Sequence, residues 1–293
     1  MSDFKVYYIA GAGRSGSTML DAVLGNCDDF FSCGELINFT VNGLEKLEYC
    51  SCGVKVPNCE FWSKVAELWD TQKILTLDQY NMLLKKYLGS SKRIHKLFFR
   101  FLFPNDEFKF FINDTKLIYE SIHQVSNSKY LIDSSKNPMR LLLLRKIGIK
   151  FETLHLVRRL DGVIDSNKKR LKKDLKAGVE LEIYPKKTYK IVSRWLVTNF
   201  LCVIFSKSST RNKVKYEDLI HNPKNILKQL VPFAGFNEVV LDNKGPFYTN
   251  HIVAGNKMRM NKKFTILPQE RSLQNLSGLD KYIAKVFNLM FYK

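Results

Sequence analysis

An uninterrupted apolar run, KVYYIA (Lys5–Ala10), passes directly into GAGRSGST (residues 11–18) and then into the helical pattern MLDAVLG. Strand, glycine-rich turn and helix in that order leave a chain few options. The strand has no polar face to offer solvent, so both of its faces must be covered. The turn sets backbone N–H groups beside a helix N-terminus, an arrangement suited to holding an anion such as a phosphate. A tight βα turn without a ligand has the same outline. The content of this turn favours an anion: Arg14 adds a cation, and Ser15, Ser17 and Thr18 add hydroxyl donors.

Further runs at 30–33, 129–132, 151–157 and 213–216 read as strands. Segments at 61–70, 78–88, 138–147, 186–205 and 223–233 have helical length and period. Short strands alternating with helices predict a parallel sheet covered on both faces. Residues 71–127 show no clear strand pattern, which predicts a helical insertion. With no repeat or long flexible linker, the chain reads as a single domain over residues 1–293.

The spacing of the turn fits G-x-x-x-x-G-K-[ST], except that Ser17 stands where the lysine belongs. In nucleoside triphosphatases that lysine reaches the outer phosphates, so its absence argues against ATP or GTP hydrolysis. The formal net charge of +19 draws phosphates, sulfates, nucleic acids and anionic membranes alike, and does not choose among them. Lysine outnumbers arginine about three to one, and lysine is often simply a solvated charge.

Five segments, in order, carry a resemblance. They are GAGRSGSTMLDAVLG with FFSCGE (30–35), DSSKNPMRLLLL (133–144), LHLVRRLDGVIDSNKKR (154–170), VKYEDLIHNP (214–223) and HIVAGNKMR (251–259). Together they resemble the sulfotransferases that use 3′-phosphoadenosine 5′-phosphosulfate (PAPS), in particular bacterial members related to the Golgi-type and tyrosylprotein branch. The resemblance implies an α/β fold with a P-loop NTPase-like central parallel sheet flanked by helices, and a helical cap at about 71–127 that selects the acceptor. It implies transfer of a sulfuryl group from PAPS to a hydroxyl or amine, with no metal required.

Residue by residue, the resemblance gives Gly13, Arg14, Ser15, Gly16, Ser17 and Thr18 to the 5′ end of the nucleotide, and Arg158 and Ser166 to the 3′-phosphate. Where the family usually has Asp-Pro-Arg after that arginine, this chain has Arg159-Leu160-Asp161, so Arg159 is a second candidate for the 3′-phosphate. Tyr216 falls near the adenine. Asn256, Lys257 and Arg259 close over the nucleotide from a loop containing Gly255. Lys136 faces the bridging oxygen, with Arg14 alongside, and Glu35 is the favoured general base. His251 is the competing base, since other sulfotransferases use histidine.

The segment YCSCGVKVPNCEFW (49–62) leaves three readings open for Cys50, Cys52 and Cys59: free thiols, a disulfide, or zinc with Cys27 or Cys33 as fourth ligand. The basic run NKKRLKKDLK (167–176), read as continuing the helix after Arg158, is either a solvated face or a funnel for anions. The apolar stretch at 191–205 is interrupted by Arg194 and too short to span a bilayer, and the first residues contain no signal-peptide pattern. A cytoplasmic protein is expected. Two rivals stay open: a P-loop kinase, and a nucleic-acid-binding protein driven by charge.

Overall fold

All five strands of the central sheet run parallel: β1 (Lys5–Ala10), β2 (Phe30–Gly34), β3 (Tyr130–Lys136), β4 (Phe151–Val157) and β5 (Arg211–Lys215), in the order β2-β3-β1-β4-β5. The structure is a computed structural model and describes residues 3–89, 94–174, 176, 182–206, 211–267 and 276–292. As the apolar run requires, Val6 through Ala10 are fully buried in the middle of the sheet. Side chains alternate across a strand, so β1 serves two cores. Val6, Tyr8 and Ala10 face a cluster containing Trp62, Trp69 and Tyr119. Tyr7 and Ile9 face another containing Leu20, Val23 and Leu227. Each such large side chain contributes about 1.5–3 kcal/mol by leaving water.

The chain winds to β2 and β3 on one side of β1 and to β4 and β5 on the other. Loops leaving the carboxyl ends of the central strands therefore diverge and open a crevice at that edge. Helix α1 (Ser17–Leu24) follows β1 at once. It is tied down by Asp21, which accepts hydrogen bonds from Ser32 Oγ (2.5 Å) and Ser134 Oγ (2.6 Å) on β2 and β3.

Between β2 and β3 lie α2 (Glu60–Gln72), α3 (Leu77–Leu88), α4 (Ile94–Leu102) and α5 (Asp106–Ser126). Thr76 caps α3 in a reciprocal box with Gln79. Buried Asp114 on α5 accepts from the Ile74 and Leu75 amides, fixing the α2–α3 turn. The helical character expected of 71–127 is present in its described residues.

Helix α6 (Met139–Ile147) follows β3, and the two share a buried polar network. Arg140 Nε donates to Asp133 Oδ2 at 2.9 Å, and Tyr119 Oη donates to the same oxygen at 2.5 Å. This network holds the end of β3, where Lys136 turns out of the sheet with φ of 64°.

After β4 come α7 (Leu160–Lys168) and α8 (Thr188–Phe205), and after β5 come α9 (Tyr216–His221), α10 (Pro223–Leu230) and α11 (Glu238–Asp242). Strands β6 (Phe247–Tyr248) and β7 (Lys263–Phe264) form a short antiparallel pair, and α12 (Gly278–Phe291) closes the fold. The expected helical basic run is corrected here. Helix α7 stops at Lys168, and Leu171 pairs with Ile183 as an antiparallel bridge. Several of the run's cations already have partners: Lys168 with Asp280, Lys169 with Asp165 and Arg170 with Glu182. Among the described residues, no helix is long and apolar enough to cross a membrane.

Candidate active site

The glycine loop is shaped by its neighbours. A side chain at Gly11 would lie 2.2 Å from the Leu156 carbonyl oxygen of β4, so only glycine lets the turn pass. Arg14 (φ 70°) and Gly16 (φ 90°) are both left-handed and curl the backbone between them around Ser15. Gly16 caps α1 without any side-chain acceptor, which leaves the first amides of the helix directed at the crevice. The Ser15 hydroxyl is buried there with no hydrogen-bond partner. A buried hydroxyl of this kind costs about 1–3 kcal/mol if nothing fills it, and an anion in the loop would supply the acceptor.

Arg158, just past the end of β4, is bound to this loop. Its Nη1 donates to the Arg14 carbonyl at 2.9 Å, and its guanidinium carbon lies 4.3 Å from the Tyr216 ring centroid. Its Nε is buried without a hydrogen-bond partner. The same Tyr216 ring backs the loop, since a Cβ on Gly16 would meet it at 2.5 Å. Loop, arginine and tyrosine are thus one packed unit. Arg159 turns the other way and pairs with Asp161 at 3.2 Å. Ser166 lies half-buried on α7, two turns beyond Arg158.

On the other side of the loop, the Lys136 ammonium pairs with the Glu35 carboxylate. Glu35 Oε2 also accepts from Asn38 Nδ2 at 3.2 Å, and its backbone amide donates to the Val253 carbonyl at 3.0 Å. The 251–259 loop is drawn in beside it, because the Asn256 amide donates to Thr18 Oγ1 at 3.3 Å. Burial lowers the pKa of the Arg14 guanidinium, while the nearby Glu35 carboxylate opposes that shift. Arg14, Lys136, Glu35, Thr18 and Asn256 therefore meet at one edge of the loop.

Not every expected residue arrives there. Lys257 is exposed, and Asn256 comes to the loop by its backbone amide while its exposed side chain caps the Met258 amide. Arg259 is fully buried, with Nη2 4.0 Å from Glu48 Oε2 and Nη1 against the Met260 sulfur. The structure places this guanidinium against Glu48 and Met260, within the fold beneath the 251–259 segment. His251 is also turned away from the crevice. Its ring stacks on Phe61, and its Nδ1 lies 3.1 Å from Cys59 Sγ.

Two cations were missed by motif reading. Lys186 is exposed overall, yet partial desolvation of its ammonium, with Arg194 and Arg14 nearby, holds its pKa below the usual lysine value. Like charges near one another disfavour the charged form of each, a cost that a bound anion would offset. No spacing in the sequence links Lys186 to the loop; the tertiary fold brings it near Arg14. By contrast, a groove of about 380 Å³ on α3 is lined by Leu75, Met82, Leu83 and Lys86 and includes none of these residues.

The cysteine segment also differs from expectation. Cys50, Cys52 and Cys59 lie together, and the fourth polar ligand beside them is His251, not Cys27 or Cys33.

The architecture has solved counterparts. The chain is similar to the sulfotransferase domain from the Synechococcus PCC 7002 olefin synthase, with a TM-score of 0.54 and 19% identity, covering 97% of this chain and 94% of that one. The sulfotransferase domain from the curacin biosynthetic pathway matches at a TM-score of 0.47 and 17% identity, over 97% and 98% of the two chains. No family model matches the chain, and no curated protein sequence matches it. The chain has the fold of a sulfotransferase domain, a five-stranded parallel α/β sheet flanked by helices.

Proposed function

We propose that this chain is a PAPS-dependent sulfotransferase acting on a hydroxyl or amine acceptor. One observation carries the reading: Arg158 is bound to the Arg14 carbonyl at 2.9 Å and stacked on Tyr216, with its buried Nε and the buried Ser15 hydroxyl both lacking partners. A glycine loop that lacks the phosphate lysine but has an arginine clamped across its mouth suits a nucleotide with anions at both its 5′ and 3′ ends. The order of the five resembling segments supports the same reading, and the glutamate at residue 35 supports a relationship to the tyrosylprotein-like branch.

In this reading the loop amides of residues 13–18 and the Ser15, Ser17 and Thr18 hydroxyls hold the 5′-phosphosulfate. Arg158 and Ser166 hold the 3′-phosphate, and the Tyr216 ring lies beside the adenine. Lys186 and Arg194 add attraction for the dianion. The acceptor's lone pair forms a bond to sulfur as the bond from sulfur to the bridging phosphate oxygen breaks, leaving 3′,5′-bisphosphoadenosine (PAP). Lys136 and Arg14 neutralise the charge that develops on that oxygen, and Glu35 takes the acceptor's proton. Such transfers depend chiefly on alignment and charge stabilisation, which a fixed loop and two convergent cations provide. The helices of 71–127 adjoin the site: Asn137 Nδ2, next to Lys136, donates to the Leu88 carbonyl of α3 at 2.8 Å. They are the candidate acceptor side.

The test is incubation of the full chain with sulfur-labelled PAPS and pooled acceptor extracts, read by mass spectrometry. A sulfated product that depends on PAPS supports the reading. Absence of any product alongside absence of PAP binding overturns it.

A further inference from the structure

We infer that Cys50, Cys52, Cys59 and His251 form a structural zinc site that fixes the 251–256 segment against the glycine loop. The four ligand atoms all lie within 4.8 Å of one another. Cys52 and Cys59 Sγ are 3.6 Å apart, Cys59 and Cys50 Sγ are 3.7 Å apart, and Cys59 Sγ is 3.1 Å from His251 Nδ1. Zinc–sulfur bonds of about 2.3 Å in a tetrahedron set sulfur atoms about 3.8 Å apart. Bonded disulfide sulfurs sit at about 2.05 Å. The two sulfur–sulfur separations therefore match edges of a zinc tetrahedron, and three thiols plus one imidazole make a closed structural donor set.

The surrounding chain is built to present these atoms. Cys50-Ser51-Cys52 enters a tight turn through Gly53 (φ 92°), with the Cys50 amide donating to the Val54 carbonyl at 2.8 Å. Cys59 stands at the N-terminus of α2. His251 has left-handed backbone (φ 53°), and its carbonyl accepts from Trp62 Nε1 at 2.5 Å. These contacts turn the His251 ring toward the thiols, although 192 residues separate it from Cys59. Next to the cluster, the Ser51 and Ile252 segments exchange hydrogen bonds: the Ser51 amide donates to the Ile252 carbonyl (3.1 Å) and the Ile252 amide donates to Ser51 Oγ (2.8 Å). One residue further on, Val253 pairs with the end of β2, and Asn256 reaches Thr18.

The site therefore joins two distant stretches of chain, residues 50–59 and residue 251, and its last ligand leads straight into the segment that packs on Glu35. The metal's role is to hold that segment. Its ligand set is saturated, with no open position for catalysis. This inference rests on the cluster's own geometry and stands or falls independently of the proposed sulfuryl transfer.

The experiment is elemental analysis of the full-length chain purified without chelators or immobilised metal, followed by cobalt exchange. About one zinc per chain is expected. In chelator competition, Cys52→Ser and His251→Ala each weaken zinc binding at least about tenfold, while Cys27→Ala leaves it unchanged. Because Cys52 is exposed, the Cys52→Ser chain provides a variant whose fold circular dichroism can verify. Cobalt in the wild-type site should give intense visible bands of a tetrahedral centre with thiolate charge transfer. Stripping zinc should lower the melting temperature and make the 251–256 segment exchange its amide hydrogens faster. The inference is overturned by a folded chain that takes up no zinc or cobalt. It is equally overturned by an octahedral cobalt spectrum, by zinc that survives Cys52→Ser and His251→Ala unweakened, or by a Cys50–Cys59 disulfide found by mass spectrometry in freshly purified protein.

Discussion

The Lys136 ammonium and the Glu35 carboxylate form an ion pair across the carboxyl ends of β3 and β2, 101 residues apart in the chain. Both side chains are mostly shielded from solvent, so each depends on the other for charge compensation. A sulfuryl donor in the crevice would compete for the lysine and release the carboxylate toward the acceptor. Glu35→Gln keeps the shape but not the basicity. At saturating PAPS its turnover should fall by roughly 10²–10⁴-fold, the usual worth of a general base, with PAP affinity near wild type. Lys136→Ala should lose both turnover and some PAP affinity. Full turnover in Glu35→Gln would remove Glu35 from the base role.

If Arg158 holds the 3′-phosphate as proposed, it should separate nucleotides with and without that group. A charge-assisted contact is worth roughly 1.5–3 kcal/mol, or about one to two orders of magnitude in affinity. PAP should therefore bind more tightly than 5′-AMP by about that factor, and Arg158→Ala should erase most of the difference. Because Arg158 also holds the Arg14 carbonyl, 5′-AMP binding should weaken slightly as well. Equal calorimetric affinity for PAP and 5′-AMP in the wild type would remove Arg158 from the 3′ site.

Gly16 should tolerate no side chain. At φ 90° a non-glycine residue costs about 1–2 kcal/mol, and the added Cβ would press on the Tyr216 ring at 2.5 Å. That ring carries Arg158, so Gly16→Ala should lower both the melting temperature and PAP affinity. Gly13→Ala meets nothing within 4 Å, and its melting temperature should stay near wild type in the same thermal scan.

Asp21 should leave a mark on the pH dependence of stability. Burial pushes its carboxyl up to about 7, against the opposing hydrogen bonds from Ser134 and Ser32. The folded state then binds a proton that the unfolded state, with an ordinary pKa near 3.9, has lost. Stability from this group is greatest below about pH 4, falls as pH rises through the window to about 7, and levels off above it. The loss is on the order of a few kcal/mol. Asp21→Asn should flatten this component, as seen by denaturant unfolding of both chains at several pH values. Identical pH profiles for the two would show that Asp21 does not titrate in that window.

Much of the sheet and loop was legible because the relevant signals are local. The Lys5–Ala10 run has no polar face, and the glycines that follow it allow only a tight turn into a helix. The site splits along the same line. Arg158, Lys136 and Glu35 stand at strand ends that can be read from sequence, and the structure brings each beside the glycine loop. Arg259 lies in a motif-like segment, but its direction depends on Glu48, a buried partner more than two hundred residues earlier, which no spacing reveals. Lys186 comes near Arg14 only through the tertiary fold. The His251 ring finds Cys59 through the Trp62 hydrogen bond and a left-handed backbone, both tertiary features. The basic run leaves α7 after Lys168 because Leu171 pairs with Ile183 as a bridge, a tertiary contact that no spacing reveals.

The crevice is proposed to take an adenosine nucleotide with phosphates on both its 3′ and 5′ sides. Calorimetric titration of the wild-type chain with PAP, and in parallel with ATP plus magnesium, tests it most directly. The account predicts one PAP site per chain and ATP binding weaker by about one to two orders of magnitude, since Ser17 replaces the lysine that would hold the outer phosphates. Tight magnesium-dependent ATP binding with no detectable affinity for PAP would contradict it.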